Sequence, residues 1–242
     1  LIKVQTLLSG FTPWDAAAVL FLALCWMGAT LIIEHPPKRR PSMSTLMAAY
    51  RREWMVQFVH RSPRIFDSQI VSNLRQGTAF FASASMIAIG GGFALLGNAD
   101  QLRGVAADLT ESADPVVVFE IKLMVMLLFA ANAFLKFVWS HRLFGYTSVL
   151  MAAVPEDVSD PVTMPRAQKA AEINVTGARS YNRGLRSVYF GIASAAWLGG
   201  ALPLTLATIV TLAVVLRREF ASVSRAVLLE PTDRTTGQTP GS

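Results

Sequence analysis

Long apolar blocks alternate with polar connections along this chain, at 13–33, 77–97, 116–139 and 188–216. A helix needs roughly 20 apolar residues to cross a hydrocarbon core of about 30 Å, and each block reaches that length. The blocks are continuous and rich in Ala, Leu and Met, without the alternation of a membrane β-strand, so they predict helices. Pro13 suits the first turn of the first helix, and Pro36 and Pro37 followed by Lys38, Arg39 and Arg40 stop it. The basic cluster follows the apolar run rather than preceding it, which predicts a retained anchor and not a signal peptide.

The last block has 29 residues, about 43 Å as one helix at 1.5 Å per residue, so it is either one kinked helix or a hairpin. Gly199 and Gly200 can end one helix and Pro203 can start the next. The basic residues favour the hairpin. Lys38, Arg39, Arg40, Arg51, Arg52, Arg61, Arg64 and Arg75 crowd the 34–76 connection, and Arg142, Arg166, Lys169, Arg179, Arg183 and Arg186 the 140–187 connection. The 98–115 connection instead carries Asp100, Asp108, Glu111 and Asp114 against Arg103. Lys/Arg bias makes the first two cytoplasmic, and a hairpin returns Arg217, Arg218 and Arg225 to that side. The expectation is an all-α membrane protein of five transmembrane helices, four if the last block is one kinked helix, plus cytoplasmic interfacial helices. The spans are placed at about 13–33, 77–97, 116–139, 187–200 and 203–220, within a single domain over 1–228. A polar, flexible tail follows at 229–242. The N-terminus lies outside and the C-terminus inside a cell's inner (plasma) membrane.

Composition agrees: 52% of the residues are hydrophobic and 16% charged, with a mean hydropathy of +0.42. The net charge of +6 follows from the cytoplasmic bias and implies no nucleic-acid partner. The single cysteine, Cys25, lies in the first apolar block and forms no disulfide framework.

Three features suggest binding. In 43–60, Met43, Leu46, Met47, Tyr50, Trp54 and Phe58 form a stripe at helical spacing, suited to the membrane interface or to the protein's own cytoplasmic surface. Arg179, Arg183 and Arg186 share a helical face that can hold a lipid phosphate or acidic partner residues, with a merely solvated positive face as the plainer account. The second block carries Gly77, Gly90, Gly91, Gly92 and Gly97, which predicts a crowded helix interface.

Ionisable residues within spans are costly and often functional, which singles out Asp15, Glu120, Lys122 and Lys136, together with the polar Asn132. Asp15 and Lys122 can pair across helices or reach the outer headgroups, and Asn132 suits a contact between helices. His35, His60 and His141 sit at the span boundaries, so neither a metal site nor a membrane haem is indicated. HExxH, paired CxxC, P-loop and GxSxG motifs are all absent.

The segments RSPRIFDSQIVSNLRQGTAFFASASMIAIGG (61–91), FEIKLMVMLLFAANAFLKFVWSHRLFGY (119–146) and YNRGLRSVYFGIASAAWLGG with RREFAS (181–222) resemble an uncharacterised integral-membrane family of bacteria and plants, a domain of unknown function. The resemblance implies a multi-span plasma-membrane protein and supplies no activity, cofactor or site. The functional expectation is a non-catalytic accessory or scaffold subunit that uses no cofactor. It binds anionic lipids on the cytoplasmic side and partner membrane proteins, in a larger complex or as a homo-oligomer. The alternative is a small transporter or channel with a polar path through Asp15, Glu120, Lys122 and Asn132.

Overall fold

The computed structural model describes residues 10–98 and 115–230. The acidic 98–115 connection and the 229–242 tail fall almost wholly outside the described residues. Helix α1 spans Pro13–Glu34. The Asp15 amide donates to Thr12 Oγ1 at 3.2 Å and the Thr12 amide to Asp15 Oδ2 at 3.0 Å, so two otherwise orphaned N–H groups are satisfied at its start. Helix α2, Met43–Val59, is capped by Ser42, which accepts from the Thr45 amide. The Ser42 hydroxyl also lies 2.8 Å from the Ile33 carbonyl, tying the start of α2 to the end of α1.

Three long helices follow: α3 (Ile65–Gly97), α4 (Val116–Ala152) and α5 (Thr163–Ala195). A 3-10 turn over Ala196–Gly199 leads to Gly200, then to α6 (Ala201–Phe220) and α7 (Val223–Leu229). Gly200 has φ of 105° and ψ of −177°, a region open essentially to glycine alone. There the chain reverses. Arg218 on α6 donates to the Tyr189 hydroxyl on α5, and Ser44 reaches both Asn182 of α5 and Glu219 of α6.

Among the described residues, four helices are long and apolar enough to cross a membrane: Pro13–Glu34, Ile65–Gly97, Val116–Ala152 and Ala201–Leu229. The last combines α6 and α7 and is kinked at Ala221–Ser222. The protein is therefore an all-α, multi-pass membrane protein. The expected span at 187–200 falls on the apolar end of α5 and the 3-10 turn. The rest of that helix is too polar for it to count among these four, yet its apolar end packs beside α1, α4 and α6 and returns the chain to the Asp15 end before the reversal at Gly200. The second and third apolar blocks are parts of longer helices. Helix α3 begins twelve residues before Gly77 and α4 continues thirteen past Trp139, because backbone hydrogen bonding does not stop where side-chain polarity changes.

The packing has two levels joined by these continuous helices. Near the Asp15 end, Ala18, Leu22, Phe129, Phe190, Trp197 and Leu204 form one core from α1, α4, α5 and α6. Beyond the Glu34 end, Met55, Phe58, Val71, Phe144, Met151 and Ala170 form another from α2, α3, α4 and α5. The stripe on α2 is thus divided: Phe58 is buried and Trp54 packs against that core, whereas Met47 and Tyr50 are exposed.

Helices α4 and α5 run antiparallel in the most extensive contact of the bundle. A Cβ built on Gly184 falls 2.7 Å from the Phe137 ring, so only glycine fits. Ser140 and Ser180 hydroxyls donate across this seam to the Gly177 and Lys136 carbonyls. The second span was expected to be the crowded one. Instead only 6% of its apolar window is buried, against 39% for α4. Gly92 meets Leu127, while Gly77, Gly90, Gly91 and Gly97 face open space among the described residues.

Candidate functional site

The end of α1, the start of α2, the middle of α5 and the end of α6 converge around Glu34. Arg183 donates from Nε to Glu34 Oε1 at 2.8 Å and from Nη2 to Oε2, while Arg186 Nη2 donates to Oε1 at 2.6 Å. Arg186 Nε reaches Thr30 Oγ1 at 3.2 Å. The Glu34 and Arg186 side chains are 6% and 4% exposed, the Arg183 side chain 42%. A spacing of three residues on α5 places both guanidiniums on the face toward α1, so one carboxylate is clamped twice.

Of the three arginines singled out on α5, two are therefore engaged within the protein. Arg179 is exposed and, among the described residues, makes no ion pair. It borders a cavity of about 650 Å3 between α2, α3 and α5, with walls that also include Glu34, Arg51, Arg52, Arg186 and Glu219. The two glutamates are already used. Glu219 accepts from the Ser44 amide at 3.0 Å and the Ser44 hydroxyl at 2.9 Å, at the start of α2. Arg52 forms a bidentate pair with Glu172 on the outer surface at 2.5 and 3.1 Å. This bond from Arg52 holds the Glu172 carboxyl below its ordinary pKa.

Arg51 differs from its neighbour. Its Nη1 donates to Asn174 Oδ1 at 2.5 Å, and no carboxylate among the described residues pairs with it. Burial pushes its guanidinium below its ordinary pKa, although arginine stays charged at any working pH. The Asn174 amide nitrogen is also buried with no acceptor among the described residues.

The aromatic candidates have defined places. Trp54 Nε1 donates to Asp67 Oδ1 at 2.7 Å, and Arg61 joins the same oxygen, while Asp67 Oδ2 is buried without a partner among the described residues. Phe58 lies under the Arg64 guanidinium, 4.4 Å from its ring centroid. These contacts fix the second half of α2 against α3.

The intramembrane candidates end in local contacts. Asp15 accepts from Thr12 and from Trp197 Nε1, the latter at 2.8 Å. Lys122 is buried, with Nζ 5.9 Å from the Trp197 ring centre, so Asp15, Trp197 and Lys122 group at one end of the bundle. Asn132 donates to Ser187 Oγ on α5 at 2.6 Å. Glu120 and Lys136 are half-buried. None of these five lines the cavity beside Arg51 or the smaller one of about 330 Å3 near Arg64. Among the described residues no group of three or more His, Cys, Asp or Glu side chains is placed to hold a metal ion.

Sequence reasoning passed over Glu34, Arg51 and Glu219. Glu34 carried a signal, as the acid that closes an apolar helix just ahead of a basic cluster, but its partners lie about 150 residues away. The family model for the protein of unknown function DUF599 matches residues 17–224, which takes in every helix from α1 to the start of α7. The chain belongs to that family. Membership brings no activity with it. Neither a curated protein nor a solved structure matches the chain.

Proposed function

We propose that this DUF599 protein is a non-catalytic accessory or scaffold subunit of a cell's inner membrane, binding anionic lipids and partner membrane helices. The observation that carries the reading is the condition of α3. This spanning helix packs chiefly on α4, buries 6% of its apolar window, and leaves Gly90 and Gly91 open. In lipid, helices associate through close packing of small residues and not through water exclusion, so an open glycine surface suits a second helix. The basic layer around α2 and α5 faces the cytoplasm in this proposal, which puts the N-terminus outside and the C-terminus inside.

The transport alternative needs a connected polar path. Asp15 and Asn132 instead end in hydrogen bonds to Trp197 and Ser187, which counts against it. The test is purification in mild detergent followed by mass spectrometry of the intact assembly. Retained lipid together with a second chain, of this or another protein, supports the proposal. A bare monomer refutes it, and labelling of cysteines placed at Arg40 and Asn98 in intact cells checks the orientation.

A further inference from the structure

We propose that the cavity between α2, α3 and α5 is a binding site for the phosphate headgroup of an anionic phospholipid, held by Arg51 and Arg179. The proposal rests on the lipid-binding reading above and assigns it one place and two residues.

Donors exceed acceptors here. A guanidinium carries five N–H donors, and Arg51 uses its contact to Asn174 as its one bond among the described residues. Arg179, at the same cavity, has none there, and the buried Asn174 amide nitrogen also lacks an acceptor. The nearby carboxylates cannot redress this. Glu34 is clamped by Arg183 and Arg186, Glu219 is bound at the start of α2, and Glu172 is paired with Arg52. Buried donors without acceptors are costly, and a phosphate supplies several charged acceptor oxygens at once.

The position argues for a lipid as the carrier of that phosphate. The cavity lies where the apolar run of α1 ends, at Ile33, and where that of α3 begins, at Gly77. Headgroups occupy that depth in a bilayer. Met43, Met47 and Leu74 line the same cavity as the arginines, offering an apolar wall to the glycerol and upper chain of a lipid. Its volume of about 650 Å3 falls within the range of about 300–1,000 Å3 of small-molecule pockets. Trp54 of α2 reaches Asp67 of α3 at one end of this helix pair, while Met43, Met47, Leu74 and Gly77 from the two helices line the cavity.

The full chain in mild detergent is titrated with phosphatidylglycerol, phosphatidylcholine or inorganic phosphate, and bound lipid is counted by mass spectrometry of the intact protein. One phosphatidylglycerol per chain is expected, with phosphatidylcholine at least about tenfold weaker. Arg51→Gln and Arg179→Gln each weaken phosphatidylglycerol at least about tenfold, since each deletes charged hydrogen bonds to phosphate. Arg142→Gln, an exposed arginine on α4 resting against Tyr146, leaves binding unchanged. Helix content and a single elution peak establish folding. Should Arg51→Gln fail to fold, the exposed Arg179→Gln carries the test.

Wild-type affinity in both cavity variants overturns the site while leaving lipid binding intact. Equal loss in all three variants overturns it as well, in favour of diffuse charge. Displacement of the lipid by inorganic phosphate at equal concentration overturns the lipid and assigns free phosphate. If the wild type retains no phosphatidylglycerol, the lipid-binding reading falls together with the site.

Discussion

Replacing Glu34 with Gln tests whether the double arginine clamp holds α1 to α5. The change keeps one amide oxygen as acceptor but removes the charge facing Arg186, whose side chain is 4% exposed. Deleting one partner of a buried ion pair costs about 3–5 kcal/mol because the other charge stays desolvated. The retained acceptor favours the lower figure, about 3 kcal/mol. Arg183, at 42% exposed, can turn to solvent and adds at most about 1 kcal/mol. For a chain of this size each kcal/mol moves the melting temperature by about 2–4 °C, so Glu34→Gln lowers it by about 6–12 °C. Arg183→Gln lowers it by less than about 4 °C on the same scale. Unfolding is followed by tryptophan fluorescence in one detergent at one scan rate, with Trp26, Trp54 and Trp197 as reporters inside or against the two cores. The combined Glu34→Leu, Arg186→Leu change removes both buried charges and recovers most of the loss, since apolar replacements of such pairs are often neutral. A melting temperature for Glu34→Gln within about 2 °C of wild type, a shift worth under about 1 kcal/mol, refutes the clamp. So does a combined variant no better than the single one.

Gly184→Ala drives a Cβ into the Phe137 ring and lowers stability by about 1–3 kcal/mol. Gly90→Ala, in open space, is neutral or stabilises the helix by up to about 1 kcal/mol. Equal melting temperatures for the two variants contradict the close α4–α5 seam. Gly200→Ala costs about 1–3 kcal/mol through its backbone conformation alone, read as a lower melting temperature, and no loss there contradicts the reversal at that residue. The Arg52–Glu172 pair has a lowered carboxylate pKa, so its contribution is complete above the ordinary glutamate pKa and fades as pH falls through the lower, folded value. Both side chains are at least half exposed, which limits the effect to under about 1 kcal/mol. Stability measured between pH 6 and pH 3 should therefore show a slightly shallower acid slope in Arg52→Gln. An identical slope in the two proteins contradicts it.

The apolar blocks and the turn chemistry made most of the helices legible. Pro13 announces the start of α1, and Gly199, Gly200 and Pro203 mark the reversal. The lengths of α4 and α5 were not legible, because apolar side chains give way to polar ones along both and a helix does not need to end there. The glycines of the second block are legible only in part. Small residues permit close approach, but only the three-dimensional arrangement says that Gly184 is approached and Gly90 is not. The spacing of Arg179, Arg183 and Arg186 correctly placed them on one face. Which of them stays available was decided by Glu34, and no local pattern connects residues that far apart.

The clamp also sets an order of events during synthesis. Glu34 and Arg183 are separated by 149 residues, which at about 5–20 residues per second takes roughly 7–30 s to translate. For that interval the first helix is already made while its carboxylate has neither arginine to bind. Its final seat is completed only when α5 arrives, so the earliest of the described helices is among the last to be locked.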